Sequence, residues 1–188
     1  MKNKINDKIL PEILRTTSIA KSRIFEIEQL DLRFSNGVET QYERLKSSRS
    51  GAVLIVPLLD KDTVLLIREY AAGVQRYELA LPKGKVEPNE NILDAANREI
   101  KEEVGYGANK LTHLTTLSIA PGYLSHETNI ILAEDLYECV EEGDEPEPLD
   151  VIPWKLSELD LLLQEQECTE ARSIAALFIT RERLASQR

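Results

Sequence analysis

The sequence predicts an α+β domain built on a mixed β-sheet, preceded by a small N-terminal antiparallel β appendage. Three observations predict it. Alternating apolar residues flank Asn36-Gly37, nearly continuous apolar runs follow Ala52, and an apolar period close to 3.6 residues runs between Ile92 and Val104. Strands and helices do not alternate regularly, which argues against a βαβ repeat.

The appendage is placed at residues 1–50. Leu30, Leu32 and Phe34 alternate before Asn36-Gly37, and Val38, Thr40 and Tyr42 alternate after it. Asn-Gly between two such runs signals a hairpin, because both residues tolerate the positive φ of a type I′ turn. The polar run Lys46 to Gly51 then reads as a linker.

The main domain is placed at residues 51–188. Its first two runs, Ala52 to Leu59 and Thr63 to Ile67, are apolar almost throughout, as strands buried on both faces require. Further strands are expected at Arg76 to Ala80, His113 to Ile119 and Asn129 to Asp135, with Trp154 packing the sheet. Leu93, Ala96, Ile100 and Val104 form one stripe of a helix bracketed by Pro88 and Gly105. Two more helices are expected at Leu156 to Gln164 and Thr169 to Ala185.

At 188 residues, 42% hydrophobic and 30% charged, the chain has the length and balance of one folded domain with an appendage. Acidic residues outnumber basic ones 33 to 23, for a formal charge of -10, so the surface repels nucleic acids. A phosphate-bearing substrate would need cations supplied locally. Cys139 and Cys168 have no metal-ligand spacing and are too few for a disulfide framework, which fits a reduced, cytoplasmic setting. Met1 to Pro11 lacks the apolar centre of a secretory signal, and no apolar run is long enough for a bilayer.

The chemistry is concentrated between Gly84 and Tyr106. Gly84 permits a sharp turn and close backbone approach, Pro88 and Asn89 suit a loop entering a helix, and Glu90 falls near the helix N-terminus, where negative charge is favoured. Glu99, Glu102 and Glu103, spaced i, i+3 and i+4, project from one face and repel one another. A cation among them would relieve that repulsion, and hard oxygen ligands select Mg²⁺ or Mn²⁺. Arg98 can pair with Glu102 one turn on and orient it. Taken alone, the three glutamates read more readily as a solvated acidic face than as a metal site.

The full pattern resembles the box of the Nudix hydrolase superfamily. Gly84, Glu90, Arg98-Glu99-Ile100, Glu102-Glu103 and Gly105-Tyr106 fill all nine specified positions. The resemblance implies an α/β/α Nudix sandwich with a mixed sheet. It further implies that two or more Mg²⁺ or Mn²⁺ ions are held by Glu99, Glu102 and Glu103 with a backbone carbonyl near Lys83. The reaction implied is hydrolysis of a phosphorus anhydride. Gly84, Glu90, Arg98 and Gly105 are then supporting residues.

Flanking residues are similar to those of the group that hydrolyses ADP-ribose and related ADP compounds: Ile67-Arg68-Glu69-Tyr70, Leu81-Pro82-Lys83-Gly84, and Ala120-Pro121-Gly122 followed by Glu127. Pro121, Gly122 and Glu127 are candidate substrate contacts by this likeness. In that group the N-terminal strands commonly form a homodimer. Ala71 stands where ADP-ribose pyrophosphatases usually have arginine, and Ala80 where they have glutamate, which turns the likeness toward hydrolases of broader ADP-compound range. NADH, ADP-ribose and dinucleoside polyphosphates are the implied substrates, with AMP released.

The acidic run Glu138 to Pro148 reads either as a solvated loop or as the counterpart of a Glu-x-Glu loop in related pyrophosphatases. In the second reading Glu145 is the general base and Glu147 a further metal ligand, while Glu103 remains an alternative base. Arg44 and Arg68 are candidate phosphate or ribose contacts, with structural ion pairs as the other reading. Tyr70, Tyr77 and Tyr123 stack on adenine or belong to the core; His113 and His126 are incidental. The rivals are a nucleoside triphosphate pyrophosphohydrolase and a non-catalytic nucleotide-sensing module of the same fold.

Overall fold

The computed structural model describes residues 8–46 and 51–186. Most of the expected linker, Ser47 to Ser50, lies outside them. Two compact units are formed: one from the N-terminal strands together with residues 118–126, the other from the rest of the chain.

The first unit is a three-stranded antiparallel sheet, β1 (Glu12–Lys21), β2 (Glu26–Arg33) and β3 (Glu39–Lys46), with β2 in the middle. The sequence reading found β2 and β3 but not β1. The reason is physical: β1 is exposed at nine of its ten positions, so it has no buried face to impose alternation. The hairpin turn also differs from the type I′ expectation. Gly37 has φ 84°, but Asn36 does not have positive φ. Gly37 N–H donates to the Phe34 carbonyl at 2.9 Å, and Phe34 and Val38 pair across a three-residue loop, the arrangement of a type I turn followed by a left-handed glycine. The Asn36 carboxamide instead accepts from Val38 N–H at 3.1 Å.

The second unit holds two sheets. One has the order β10-β5-β6, from Asp150–Lys155, Thr63–Ala71 and Arg76–Ala80. The other is mixed, with the order β7-β4-β9-β8, from Lys83–Lys85, Ala52–Pro57, Glu127–Glu138 and Tyr106–Ser118; β4 runs antiparallel to β7 and parallel to β9. The helices are α1 (Ile92–Val104), α2 (Leu159–Leu162), which follows a single 3-10 turn, and α3 (Ala171–Ala185). The helix expected from Leu156 is thus shorter and tighter than its apolar pattern suggested.

Alternation along the buried strands explains the layers. Val53 and Ile55 of β4, Leu65 and Ile67 of β5, and Ile131 of β9 pack with Ala95, Ala96, Ile100 and Val104 of α1. Their neighbours Leu54, Val56, Leu66 and Leu132 face the other way, against Leu159, Leu162, Ala176 and Leu177. Each face of the strands is covered by helix, so neither face has room for polar residues. That is the α/β/α sandwich, and it fixes α1 by its apolar stripe. Ile100 is wholly buried, and burying such a side chain contributes roughly 1.5–3 kcal/mol.

Asn91 caps α1 by accepting from Leu93 N–H at 2.8 Å, and Gly105, at φ 76°, ends it. Before the cap, Glu90 N–H closes a turn onto the Glu87 carbonyl at 3.1 Å. Asn89 sits at φ 69°, the value a type II turn needs after Pro88.

Candidate active site

The glutamate face of α1 opens on a cleft of about 650 Å³, lined from the β7 side by Lys83, Gly84 and Lys85 and from the β9–β10 loop by Glu142 to Glu145. Seven carboxylates face it against three cations, the two lysines and Arg98. Glu99, Glu102, Glu103 and Glu145 all line it.

Two groups hold the helix glutamates: Lys83 N–H takes Glu103, and Arg98 takes Glu99 and Glu102. Glu103 is 8% exposed and accepts from Lys83 N–H at 2.9 Å. Burial, reinforced by Glu99 and Glu69 and opposed by Lys83, pushes its carboxyl up to about 8. Glu99 is 9% exposed; burial again raises its pKa, Arg98 opposes, and Glu102 and Asp144 add to the rise. The Arg98 guanidinium donates to Glu99 at 2.9 Å, to Glu102 at 3.0 Å, to Glu90 at 3.0 and 3.2 Å and to the Lys85 carbonyl at 3.0 Å. Glu90 therefore stands outside the helix, one residue before the cap, and is stabilised by Arg98 rather than by the helix terminus; Arg98 depresses its pKa. Gly84 pairs with Val53 of β4 and lies so close to α1 that an added Cβ would stand 1.9 Å from the Glu99 carboxyl carbon.

Among the described residues no three acidic side chains already converge as a ligand set, because Glu99 and Glu102 turn to Arg98 and Glu103 to Lys83 N–H. The donors nevertheless fit a hard divalent cation: carboxylate oxygens from one helix face, two of them buried with raised pKa, in a cleft with a carboxylate excess. Burial raises the pKa of both carboxyls, and a cation bound between them would favour their ionised form and release protons.

Glu145 of the loop faces the same cleft, with its pKa raised by burial and by Glu69 and Asp144. Glu147 does not. The chain bends at Pro146-Glu147, so residues two apart lose a common face, and Glu147 is exposed and accepts from the Tyr77 hydroxyl at 2.6 Å. To serve as the expected metal ligand, Glu147 would have to give up that hydroxyl.

Arg44 and Arg68 are both found in ion pairs. Arg44 donates to the buried Glu28 at 2.9 and 3.0 Å, and Arg68 to Glu167 at 2.9 Å and Asp150 at 3.3 Å. Pro121 and Gly122 lie with the N-terminal sheet, where Leu45 N–H donates to the Tyr123 carbonyl at 2.8 Å. Glu127 is the exposed first residue of β9. Tyr70 and Tyr77 form an exposed edge-to-face pair with centroids 5.7 Å apart, not a core contact.

Sequence reasoning missed three supports. Glu69 forms an ion pair with Lys83 Nζ; it lay within a quoted motif, but nothing local indicated its partner. Lys101 pairs with Glu141 at 2.8 Å. Ser173 of α3, 1% exposed, accepts from Leu81 N–H at 3.0 Å and so fixes the chain entering β7; a separation of 92 residues leaves no local signal.

Comparisons with known proteins point to one family. A model of the NUDIX domain matches residues 48–178, and one of the NudE-type Nudix hydrolase N-terminal domain matches residues 11–44. The ADP compounds hydrolase NudE of Escherichia coli is 50% identical over 94% of this chain and 95% of its own length. An ADP-ribose pyrophosphatase of Bacillus subtilis is 30% identical over 87% of this chain and 91% of its own. A crystal structure of an ADP compounds hydrolase superposes with a TM-score of 0.89 at 49% identity, covering 96% of this chain and 97% of the other.

Proposed function

The chain belongs to the Nudix hydrolase family, and from that premise we propose that it hydrolyses the diphosphate linkage of ADP-containing compounds, releasing AMP. Nudix hydrolases generally depend on divalent metal ions. The observation that carries the reading is the meeting of Glu99, Glu102, Glu103 and Glu145 on one cleft in a chain whose relatives are named for ADP compounds and ADP-ribose. NADH, ADP-ribose and dinucleoside polyphosphates are the proposed substrates, and two or more Mg²⁺ or Mn²⁺ ions the proposed cofactor.

Glu99, Glu102 and Glu103, with a backbone carbonyl near Lys83, would hold those ions, which neutralise phosphoryl oxygens and make water a stronger acid when bound. The remaining work falls to the chain itself. Arg98 fixes two carboxylates from one guanidinium, and Lys83 N–H fixes a third. Glu145 takes the proton of the attacking water, with Glu103 as the alternative base. The water oxygen bonds to one phosphorus, the anhydride P–O bond breaks, and its electron pair leaves with the other phosphate. From NADH the products are AMP and reduced nicotinamide mononucleotide. Arg44 and Arg68 would engage substrate only by exchanging their present carboxylate partners for phosphate, and Pro121, Gly122 and Glu127 are kept as proposed substrate contacts.

We also propose a homodimer. Ile13, Leu14 and Ile19 of β1, and Phe25 and Val38 beside the turns, are exposed apolar residues of the N-terminal sheet, and a second copy would cover them. Among the described residues no helix is long and apolar enough to cross a membrane. The free Cys139 and Cys168 suit a cytoplasmic setting.

The test is AMP release from NADH, ADP-ribose, diadenosine triphosphate and ATP, with Mg²⁺, with Mn²⁺ and after chelation. The reading expects turnover of the first three and none without a divalent ion. Preference for ATP would overturn it in favour of a triphosphate pyrophosphohydrolase, and intact substrates throughout would favour a binding module.

A further inference from the structure

The loop between β9 and β10 carries Glu145 and is held at two points that the mechanism above leaves unused. On one side, Glu141 accepts from Lys101 Nζ at 2.8 Å and donates its N–H to the Lys101 carbonyl at 3.2 Å. Gly143 follows, its missing side chain facing Glu102, where a Cβ would meet the Glu102 Cβ at 3.5 Å. On the other side the Tyr77 hydroxyl donates to Glu147 at 2.6 Å. Residues 139–149 form no helix or strand, and Glu142 to Glu145, between the two holds, line the cleft.

We propose that Lys101 and Tyr77 are positioning residues, which latch this loop at Glu141 and Glu147 so that Glu145 faces the glutamate helix. The inference rests on the reading of Glu145 as the general base. Lys101 stands on α1, the helix that carries Glu99, Glu102 and Glu103, so the loop is referenced to the frame of the proposed metal ligands. Tyr77 stands on β6, paired with Tyr70 of β5 across the strands and ring to ring. Both anchors therefore belong to regular elements, while the segment they hold has no ladder of its own. Their contribution to global stability is small, because Glu141 is half exposed and exposed pairs are weak. Their effect lies in where Glu145 stands, and a displacement of about 1 Å at a reacting group costs up to about a hundredfold in rate. Glu147 thereby gains a role as the latch's acceptor.

The experiment compares Tyr77→Phe, Lys101→Gln, Glu145→Gln and the two double variants with Glu145→Gln, measuring kcat and KM for ADP-ribose and amide hydrogen exchange across residues 139–149. Each latch variant is expected to lower kcat by roughly tenfold with KM within about twofold. Exchange at Glu141 is expected to quicken in Lys101→Gln. In the Glu145→Gln background neither change should lower kcat further; with Glu145 in place, the swap Lys101→Glu with Glu141→Lys should return kcat toward wild type. Wild-type kcat in the latch variants overturns the proposal, as does an equal loss in the Glu145→Gln background. A loss that tracks unfolded protein and is not restored by the swap also overturns it. Wild-type kcat in Glu145→Gln alone removes the base reading itself, and this proposal with it.

Discussion

Gly84 lies against the Glu99 carboxyl group, with 1.9 Å between a Cβ built on the glycine and the Glu99 carboxyl carbon. Pairing with Val53 pins Gly84, and the buried Ile100 pins the helix, so only the Glu99 side chain can give way. Gly84→Ala is therefore expected to displace that carboxylate without unfolding the domain. Activity should fall by about a hundredfold, the scale of a misplaced reacting group, while the thermal midpoint stays near wild type. Steady-state kinetics beside a melting curve check it, and near-normal turnover would show that Glu99 has no need of its place.

That contact also marks how far the sequence could be read. The spacing of Glu99, Glu102 and Glu103 on one helix face is local, and it was legible; so was the burial of β4 and β5 on both faces, because every residue of Ala52–Pro57 is apolar and buried. β10 was not legible, because Pro153 weakens the pattern, and the structure tolerates it by placing β10 at a sheet edge opposite Leu65. β7 has three residues, Lys-Gly-Lys, and owes its extended form to pairing with β4. At the site, Glu145-x-Glu147 was legible as a pair, with Glu145 the expected base and Glu147 the expected metal ligand. The Tyr77 hydroxyl on Glu147 was not, because 70 residues separate the two.

Arg98 joins four partners through one planar guanidinium: Glu90, Glu99, Glu102 and the Lys85 carbonyl. A lysine ammonium cannot span them, since its three donors radiate from a single atom. Arg98→Lys is expected to cost roughly 1.5–3 kcal/mol of stability, the scale of hydrogen bonds to charged groups. Mn²⁺ affinity should fall by about ten- to a hundredfold as the supporting contacts are lost. Urea unfolding and calorimetric titration measure the two effects separately.

Ser173 couples α3 to the strand that enters the site. Its hydroxyl accepts from Leu81 N–H at 3.0 Å and donates to the partly exposed Glu170 at 2.8 Å, while Ser173 and Leu81 are themselves buried. Ser173→Ala leaves a buried N–H without its partner, a loss of about 1–3 kcal/mol. Ser173→Cys should lose about as much, because a thiol is a weak acceptor. A lower urea midpoint with unchanged slope is the expected result, and an unchanged midpoint would mean that the N–H finds another acceptor.

Glu78 sets an acid limit on stability. Its side chain is buried, and burial pushes its pKa up, but Arg76 at 2.6 Å and the hydroxyl and N–H of Thr169 outweigh burial and hold the carboxyl below the usual range. A carboxyl with a depressed folded pKa stabilises the native state fully above its unfolded value, near 4.3, and this contribution is lost as pH falls through the folded value. The wild-type thermal midpoint should therefore decline on acidification below about pH 4.5. Glu78→Gln keeps the shape but cannot ionise, so it should melt lower than wild type at pH 7 and the gap should narrow as pH falls toward 3. A gap that stays constant with pH would mean that the ion pair with Arg76 adds nothing beyond the neutral hydrogen bonds to Thr169.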